Sequence, residues 1–405
     1  MHRYAFYIKC LYSGLIYNNV MARKSITVLL VMLIAGFAAM NAGNPALKPY
    51  NLSLIEAGQE KVRLVEQWKA EQAERLRHNL DELCIRQNGL SMPFSYTVFG
   101  NEPEDGRSLW ISLHGGGNAP KELNDSQWEN QKRLYRPEEG IYLCPRAPWD
   151  DWNMWFQQPI DSMFEELIRT MVVLKNVNPD KVYILGYSAG GDGLWRLSPR
   201  LADHWAAASM MAGHPGDVSL VNVRNLPFML WVGEKDDAYN RNAEVAKRGL
   251  ELDSLHRADP DGYVHECHVV HGKGHWMDLE DAAALPWMAA HVRSPYPKRI
   301  VWRQEEVLHQ SFYWLEAPSD ELERGRQVVV SVKGNRIDIE RCDYSSLTLY
   351  LNDSIVNLDK PVKIRFNGKT VKKGRFHRNI GTLRETLYAR GDPSYMFDCK
   401  VVLHF

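Results

Sequence analysis

Apolar and polar positions alternate with two different rhythms along this 405-residue chain, and the rhythm changes near Pro297. The first rhythm mixes helical spacing with short apolar runs. From Glu56 to Ile85, inside an N-terminal segment spanning 44–88, Val65, Trp68, Leu76, Leu80 and Leu83 recur at helical spacing among many Glu, Gln, Lys and Arg residues. This predicts a long amphipathic helix, either packed on the body of the protein or standing as a solvated spacer. Strands are then expected at Pro93–Phe99, Leu109–Leu113, Ile141–Cys144, Ala206–Met211, Pro227–Val232 and His265–Val270, with a further apolar run from Val182 to Gly186. Helices are expected at Ile160–Leu174, from the end of that run through Arg200, and at Ala243–Leu255. Such alternation over residues 89–297 predicts a doubly wound, mostly parallel α/β sheet that binds ligands at the carboxyl ends of its strands. Only Ala212–Leu226 separates two of the strands, which leaves no room for a helical lid and predicts an open cleft.

Beyond Pro297 the period becomes two. Val328–Val332 and Arg336–Glu340 flank Gly334-Asn335, and alternating Val362, Ile364 and Phe366 run into Asn367-Gly368, both hairpin signals. Leu347, Leu349 and Leu351 alternate likewise, and Val401–Phe405 reads as a closing strand. Residues 298–405 are expected to form a separate β-sandwich-like accessory domain. Arg390-Gly391-Asp392 reads as a turn before Pro393.

Composition narrows the partners. Lysine plus arginine (49) nearly balance aspartate plus glutamate (50), so the whole chain offers no single-sign field for nucleic acid or an anionic membrane. A small molecule or a neutral polymer fits better. Ala22-Arg23-Lys24 precede an uncharged run from Ile26 to Met40 that ends in small residues near Ala42. That is the layout of a secretory signal, so residues 1–43 read as a leader whose start is Met21, and the product is expected to be secreted or periplasmic with no stable membrane insertion. Cys84, Cys144, Cys267, Cys342 and Cys399 follow the leader without the spacing of a zinc site or a disulfide framework. No cofactor and no metal is implied. His265, His268, His271 and His275 cluster near Glu266, but residues three apart on a strand face opposite ways.

The chemistry lies at strand ends. Val182 to Gly193 reads V-Y-I-L-G-Y-S-A-G-G-D-G, an apolar run that stops at glycine and turns through Ser188 into a predicted helix, the context of a nucleophile elbow. Asp236 follows a second apolar run in Leu230 to Asp236, and His275 follows a third in Val269 to His275. The chain order is Ser, Asp, His.

With L-H-G-G-G-N at Leu113 to Asn118, G-E-K-D-D-A-Y-N-R at Gly233 to Arg241 and G-K-G-H at Gly272 to His275, residues 95–291 resemble an α/β-hydrolase. More narrowly, they resemble the secreted esterase branch with polyhydroxybutyrate-depolymerase-like and feruloyl- or acetyl-esterase-like members. The resemblance implies Ser188 as nucleophile, His275 as general base and Asp236 as the orienting acid, with Asp237 as its rival and His271 as a weaker rival of His275. It implies an oxyanion hole of backbone N–H groups at Ala189 and Gly116, with Gly117 as the runner-up. Trp149, Trp152, Trp155 and Phe156 sit on one strand-end loop and could form a platform for a sugar or an aromatic acyl group, with Tyr187 beside the serine; packing under the elbow fits those tryptophans equally well. Cleavage of carboxylic esters on a polysaccharide is the expected activity. A serine peptidase of the same fold and a non-catalytic glycan-binding protein on a hydrolase scaffold are the alternatives.

Overall fold

A computed structural model describes residues 50–405. The expected leader, with its start at Met21, lies outside the described residues. The chain begins with β1 (Tyr50–Leu52), α1 (Leu54–Asp81), β2 (Cys84–Gln87), β3 (Leu90–Phe99) and β4 (Arg107–Leu113). It continues through α2 (Lys121–Leu134), β5 (Gly140–Pro145), α3 (Pro159–Leu174), β6 (Val177–Tyr187) and α4 (Ala189–Arg200). Then come β7 (Ala207–Met211), β8 (Phe228–Gly233), α5 (Arg241–Ala258), β9 (His265–Val270) and α6 (Ala284–Ala289).

Eight of these strands make one sheet in the order β2-β3-β5-β4-β6-β7-β8-β9. The β2 and β3 end is antiparallel, and every pairing from β5 across to β9 is parallel. The apolar runs explain the order: Leu109, Ile111, Val182, Ile184 and Leu230 are fully buried, as strands covered on both faces must be. Between β7 and β8 only a 3-10 turn, Val221–Asn225, intervenes. Among the described residues no helical lid covers the strand ends there.

The long amphipathic helix forms, and it packs. Ser53 and Glu56 close a capping box, with Ser53 Oγ accepting the Glu56 N–H at 3.2 Å and the Glu56 carboxylate accepting the Ser53 N–H at 2.7 Å. Trp68 and Leu76 are buried, and Asn79 donates to Thr170 Oγ of α3 at 3.1 Å. The helix stops at Asp81 instead of reaching Ile85, because Leu83 turns to φ +49° and Cys84–Gln87 pairs with β3. Besides the short α6, two helices are not visible in the pattern. The buried face of α2 is polar, with Asn124 and Gln131 in the interior, so an apolar stripe is missing.

The C-terminal part holds β10 (Arg299–Arg303), β11 (Ser311–Phe312), β12 (Leu315–Glu316), β13 (Gln327–Lys333), β14 (Arg336–Cys342) and β15 (Ser346–Leu351). After them come β16 (Val362–Phe366), β17 (Lys369–Gly374), β18 (Arg378–Asn379), α7 (Ile380–Arg390), the second unanticipated helix, and β19 (Cys399–His404). A five-stranded sheet runs β10-β13-β14-β16-β17 and a four-stranded sheet β11-β12-β15-β19, while β1 pairs with β18. Both hairpins turn where their Gly-Asn and Asn-Gly pairs stand. Inward Val330, Ile339, Leu349, Ile364 and Val401 share one core. Gly391 ends α7 at φ +63°, and Asp392 caps the following turn.

This part is stitched to the sheet through Asp203, a buried carboxylate just beyond α4. One oxygen bonds His204 at 2.9 Å; the other accepts from the Tyr313 N–H and the Arg390 guanidinium, each at 3.1 Å. Its carbonyl accepts from Tyr395 Oη at 2.7 Å and Arg293 at 2.9 Å. Burial would raise the carboxyl, but the charges of His204 and Arg390 and these hydrogen bonds hold it well below the usual range. The five cysteines of residues 50–405 are free thiols; burial pushes Cys144 and Cys399 up to about 12, and Cys267 and Cys342 to about 11.

A chain ended at Pro297 would lack Tyr313, Arg390 and Tyr395, which bond Asp203, and would leave that buried carboxylate with His204 as its remaining side-chain partner. It should therefore lose cooperative thermal unfolding in calorimetry; a sharp transition near that of the full chain would contradict the stitching. Asp203→Asn should be destabilised most at neutral pH. Because the folded pKa of Asp203 is depressed, its contribution is present above the unfolded value of ~3.9 and is lost as pH falls through the folded one. Denaturant midpoints of the two proteins should accordingly converge on acidification.

Candidate active site

Ser188 sits between the end of β6 and the start of α4 at φ +58°, ψ −119°, a conformation that costs a non-glycine residue ~1–3 kcal/mol. The turn is held from both sides. Its N–H donates to Met211 O of β7 at 2.9 Å, and its carbonyl accepts the Asp192 N–H at 2.9 Å. Glycine at position 190 is a steric demand, since a Cβ there would lie 2.3 Å from Leu113 O of β4. The helix can start this close to the sheet only without that side chain.

The structure brings the three strand-end residues together. His275 Nε2 lies 2.9 Å from Ser188 Oγ, and its Nδ1 lies 2.8 Å from Asp236 Oδ2. Asp237 faces solvent, so the choice between the neighbouring aspartates falls to Asp236. The Asp236 side chain is buried, and its second oxygen accepts from Arg241 at 2.9 Å. Burial pushes its carboxyl up, but the hydrogen bonds and charges of His275 and Arg241 outweigh that and hold it below its ordinary value, ionised at neutral pH. Arg241 closes the G-E-K-D-D-A-Y-N-R segment, yet nothing in the spacing distinguished it from a surface arginine. His271 is highly exposed and pairs with Glu234 at 3.0 Å, away from Ser188. His268 stacks on Trp231, and His265 bonds Tyr263 O.

The glycine loop is fixed by two buried side chains. His114 Nε2 accepts the Ala147 N–H at 3.2 Å, so its Nδ1 carries the proton and donates to Gly115 O at 2.6 Å. Burial lowers its pKa to about 4 and keeps it neutral. Asn124 of α2 accepts the Gly117 N–H at 2.7 Å and donates to Ala119 O at 3.0 Å. This spends the Gly117 N–H. Gly116 stands at φ +106°, with its would-be Cβ 2.2 Å from Asn124 Oδ1, and it borders the cavity in front of Ser188. As the first residue of α4, Ala189 has no helical acceptor for its own N–H.

A central sheet in this order, a strained serine between β6 and α4, an acid after β8 and a histidine after β9 define the architecture. It is of the α/β-hydrolase type. No protein-family model matches the chain, and no curated protein matches it. Among solved structures it is similar to a thermostable esterase at 19% identity and TM-score 0.40, covering 52% of this chain and 62% of that one. It is also similar to a ferulic acid esterase (16%, TM-score 0.37, 51% and 95%) and to Est1E from Butyrivibrio proteoclasticus (14%, TM-score 0.33, 51% and 97%). Likeness at this level carries no inference about what the chain does.

Ser188 and His275 open onto a cavity of about 690 Å³ walled by Leu123, Gln127 and Arg133 of α2 on one side and Trp276 on the other. Trp276, 47% exposed beside His275, had no sequence signal except its position. Trp155 is a correction. It is fully buried, donates to His114 O at 2.9 Å and meets the His114 ring edge-on, so it is core beneath the loop and cannot touch substrate. Trp149 packs half-buried against the same core, and only Trp152 is largely exposed. Tyr187 borders the cavity, but its hydroxyl donates to His275 O at 2.6 Å and accepts the Met277 N–H at 3.1 Å, which makes it a positioning residue for the histidine loop.

Asn124→Ala would free the Gly117 N–H and loosen Gly116. It should lower kcat toward an aryl acetate, by less than the ~10²–10³ that follows outright loss of an oxyanion donor, while KM changes little. An unchanged kcat in a folded variant would remove Asn124 from the site.

Proposed function

We propose that the chain is an exported serine hydrolase of carboxylic esters. The observation that carries this reading is the unbroken relay from Ser188 through His275 to a buried, ionised Asp236, facing an uncovered cavity. In the first step His275 Nε2 takes the Ser188 proton as Oγ attacks the ester carbonyl, and Asp236 holds the imidazolium in place. The Ala189 and Gly116 N–H groups are the donors for the oxyanion that develops. Collapse releases the alcohol with the proton from His275 and leaves an acyl-serine. Water, deprotonated by the same histidine, then attacks the acyl carbon and restores Ser188.

The lack of a helical lid over β7 and β8 supports a bulky substrate, and acetyl or feruloyl esters on a polysaccharide are the proposed class. The test is turnover of p-nitrophenyl acetate and of feruloylated and acetylated polysaccharides by the wild type and two variants. Ser188→Ala should lose on the order of 10⁶ in kcat, and Asp236→Asn, which misorients the imidazole, about 10⁴. Turnover retained by folded Ser188→Ala would sink the assignment.

A further inference from the structure

The register of the five-stranded C-terminal sheet sets four cations side by side. Lys333 of β13 pairs with Arg336 of β14, Arg336 with Lys363 of β16, and Lys363 with Lys373 of β17. All four lie on the face opposite Val332, Ile337 and Ile364, which point toward the other sheet's core or its margin. Neighbouring strands are ~4.7–4.9 Å apart, so the row is an evenly spaced line of positive charge across four strands. Like charges directly opposite one another destabilise a sheet. Asp338 pairs with Arg336 and Arg365, and Asp359 is held by Arg378, so the uncompensated charge of the row rests on its three lysines. Lys333, Lys363 and Lys373 are exposed and have no ion-pair partner among the described residues.

We infer that this row binds a linear polyanion, namely a polysaccharide with one carboxylate per sugar. No exposed aromatic residue lies in the row to stack a nucleic-acid base. A single chain of spaced carboxylates meets the three unpaired lysines along the line, while exposed Thr370 flanks it with a hydroxyl for sugar groups. The choice of a polysaccharide rests on the ester-hydrolase reading; the cation row does not.

The experiment is native electrophoresis of the full chain through gels carrying polygalacturonate, with dextran gels as the neutral control, beside binding to phosphatidylglycerol vesicles and to a short DNA duplex. Polygalacturonate should retard the protein in a salt-sensitive way and raise its Tm. The combined variant Lys333→Gln, Lys363→Gln, Lys373→Gln should bind about tenfold more weakly. Its aryl-acetate turnover should be unchanged, and its own Tm should be no lower, since like-charge neighbours are gone. Should that variant fail to fold, Lys373→Gln alone, on the edge strand, should show a shallower salt dependence of polygalacturonate binding than the parent. Equal retardation of parent and variant, equal binding to dextran, or tighter binding to vesicles or DNA would overturn the inference. Binding through the row without ester hydrolysis would sink the hydrolase reading and leave the surface standing. Hydrolysis without binding would do the reverse.

Discussion

The whole α/β half answers to one steric constraint: a helix begins where two neighbouring strands end, with Gly190 pressed against Leu113 O and Ser188 held at positive φ. The strain is met by backbone hydrogen bonds to Met211 and Asp192 and by a sheet whose central strands are fully buried. Once the serine is fixed there, the other parts can only come from neighbouring strand ends. Asp236 follows β8, His275 follows β9 and the glycine loop follows β4. The parallel sheet converts three distant segments into one site because every one of these strands points the same way.

Electrostatics divides the labour between burial and pairing. Asp236 is buried yet held ionised by two partners, whereas His114 is buried with one donor and one acceptor and stays neutral. The two histidines that matter therefore work differently: His275 reaches solvent and the serine, and His114 is a neutral fastener under the glycine loop. A charged His114 would have to bury a cation beside Arg146, which the loop could not tolerate.

Much of this was legible in the sequence, and the exceptions share a cause. Ser188, Asp236 and His275 follow apolar runs that periodicity finds, and the two hairpin turns carry their own signatures. What periodicity misses is a buried surface made of polar atoms. The α2 helix hides Asn124 and Gln131, α7 buries Thr382 and Thr386 beside its leucines, and Arg241 and Asp203 are interior charges, the first paired with Asp236 across a loop and the second with Arg390 from the far end of the chain. Trp155 fails differently. The loop that bears Trp149 and Trp152 also dives beneath the glycine loop, and composition cannot tell which of three nearby tryptophans goes under. The change of period sets the C-terminal sheets apart in sequence, yet Asp203 ties them into the same body.

A net charge is a sum over the whole chain, and screening makes such a sum a poor guide to a surface. At physiological ionic strength charges more than ~8 Å apart in solvent scarcely feel one another, so a balance of 49 against 50 excludes a long-range field but says nothing about a single row. Register decides that. Lys333, Arg336, Lys363 and Lys373 are spread over forty-one positions of sequence and look scattered, but strand pairing places them in one line. A slip of one residue in β16 would turn Lys363 inward and Ile364 outward, so the same alternation that builds the core also builds the row. Such a row persists against its own repulsion only because inward Val362, Ile364, Ile337 and Val330 hold the register from the other face.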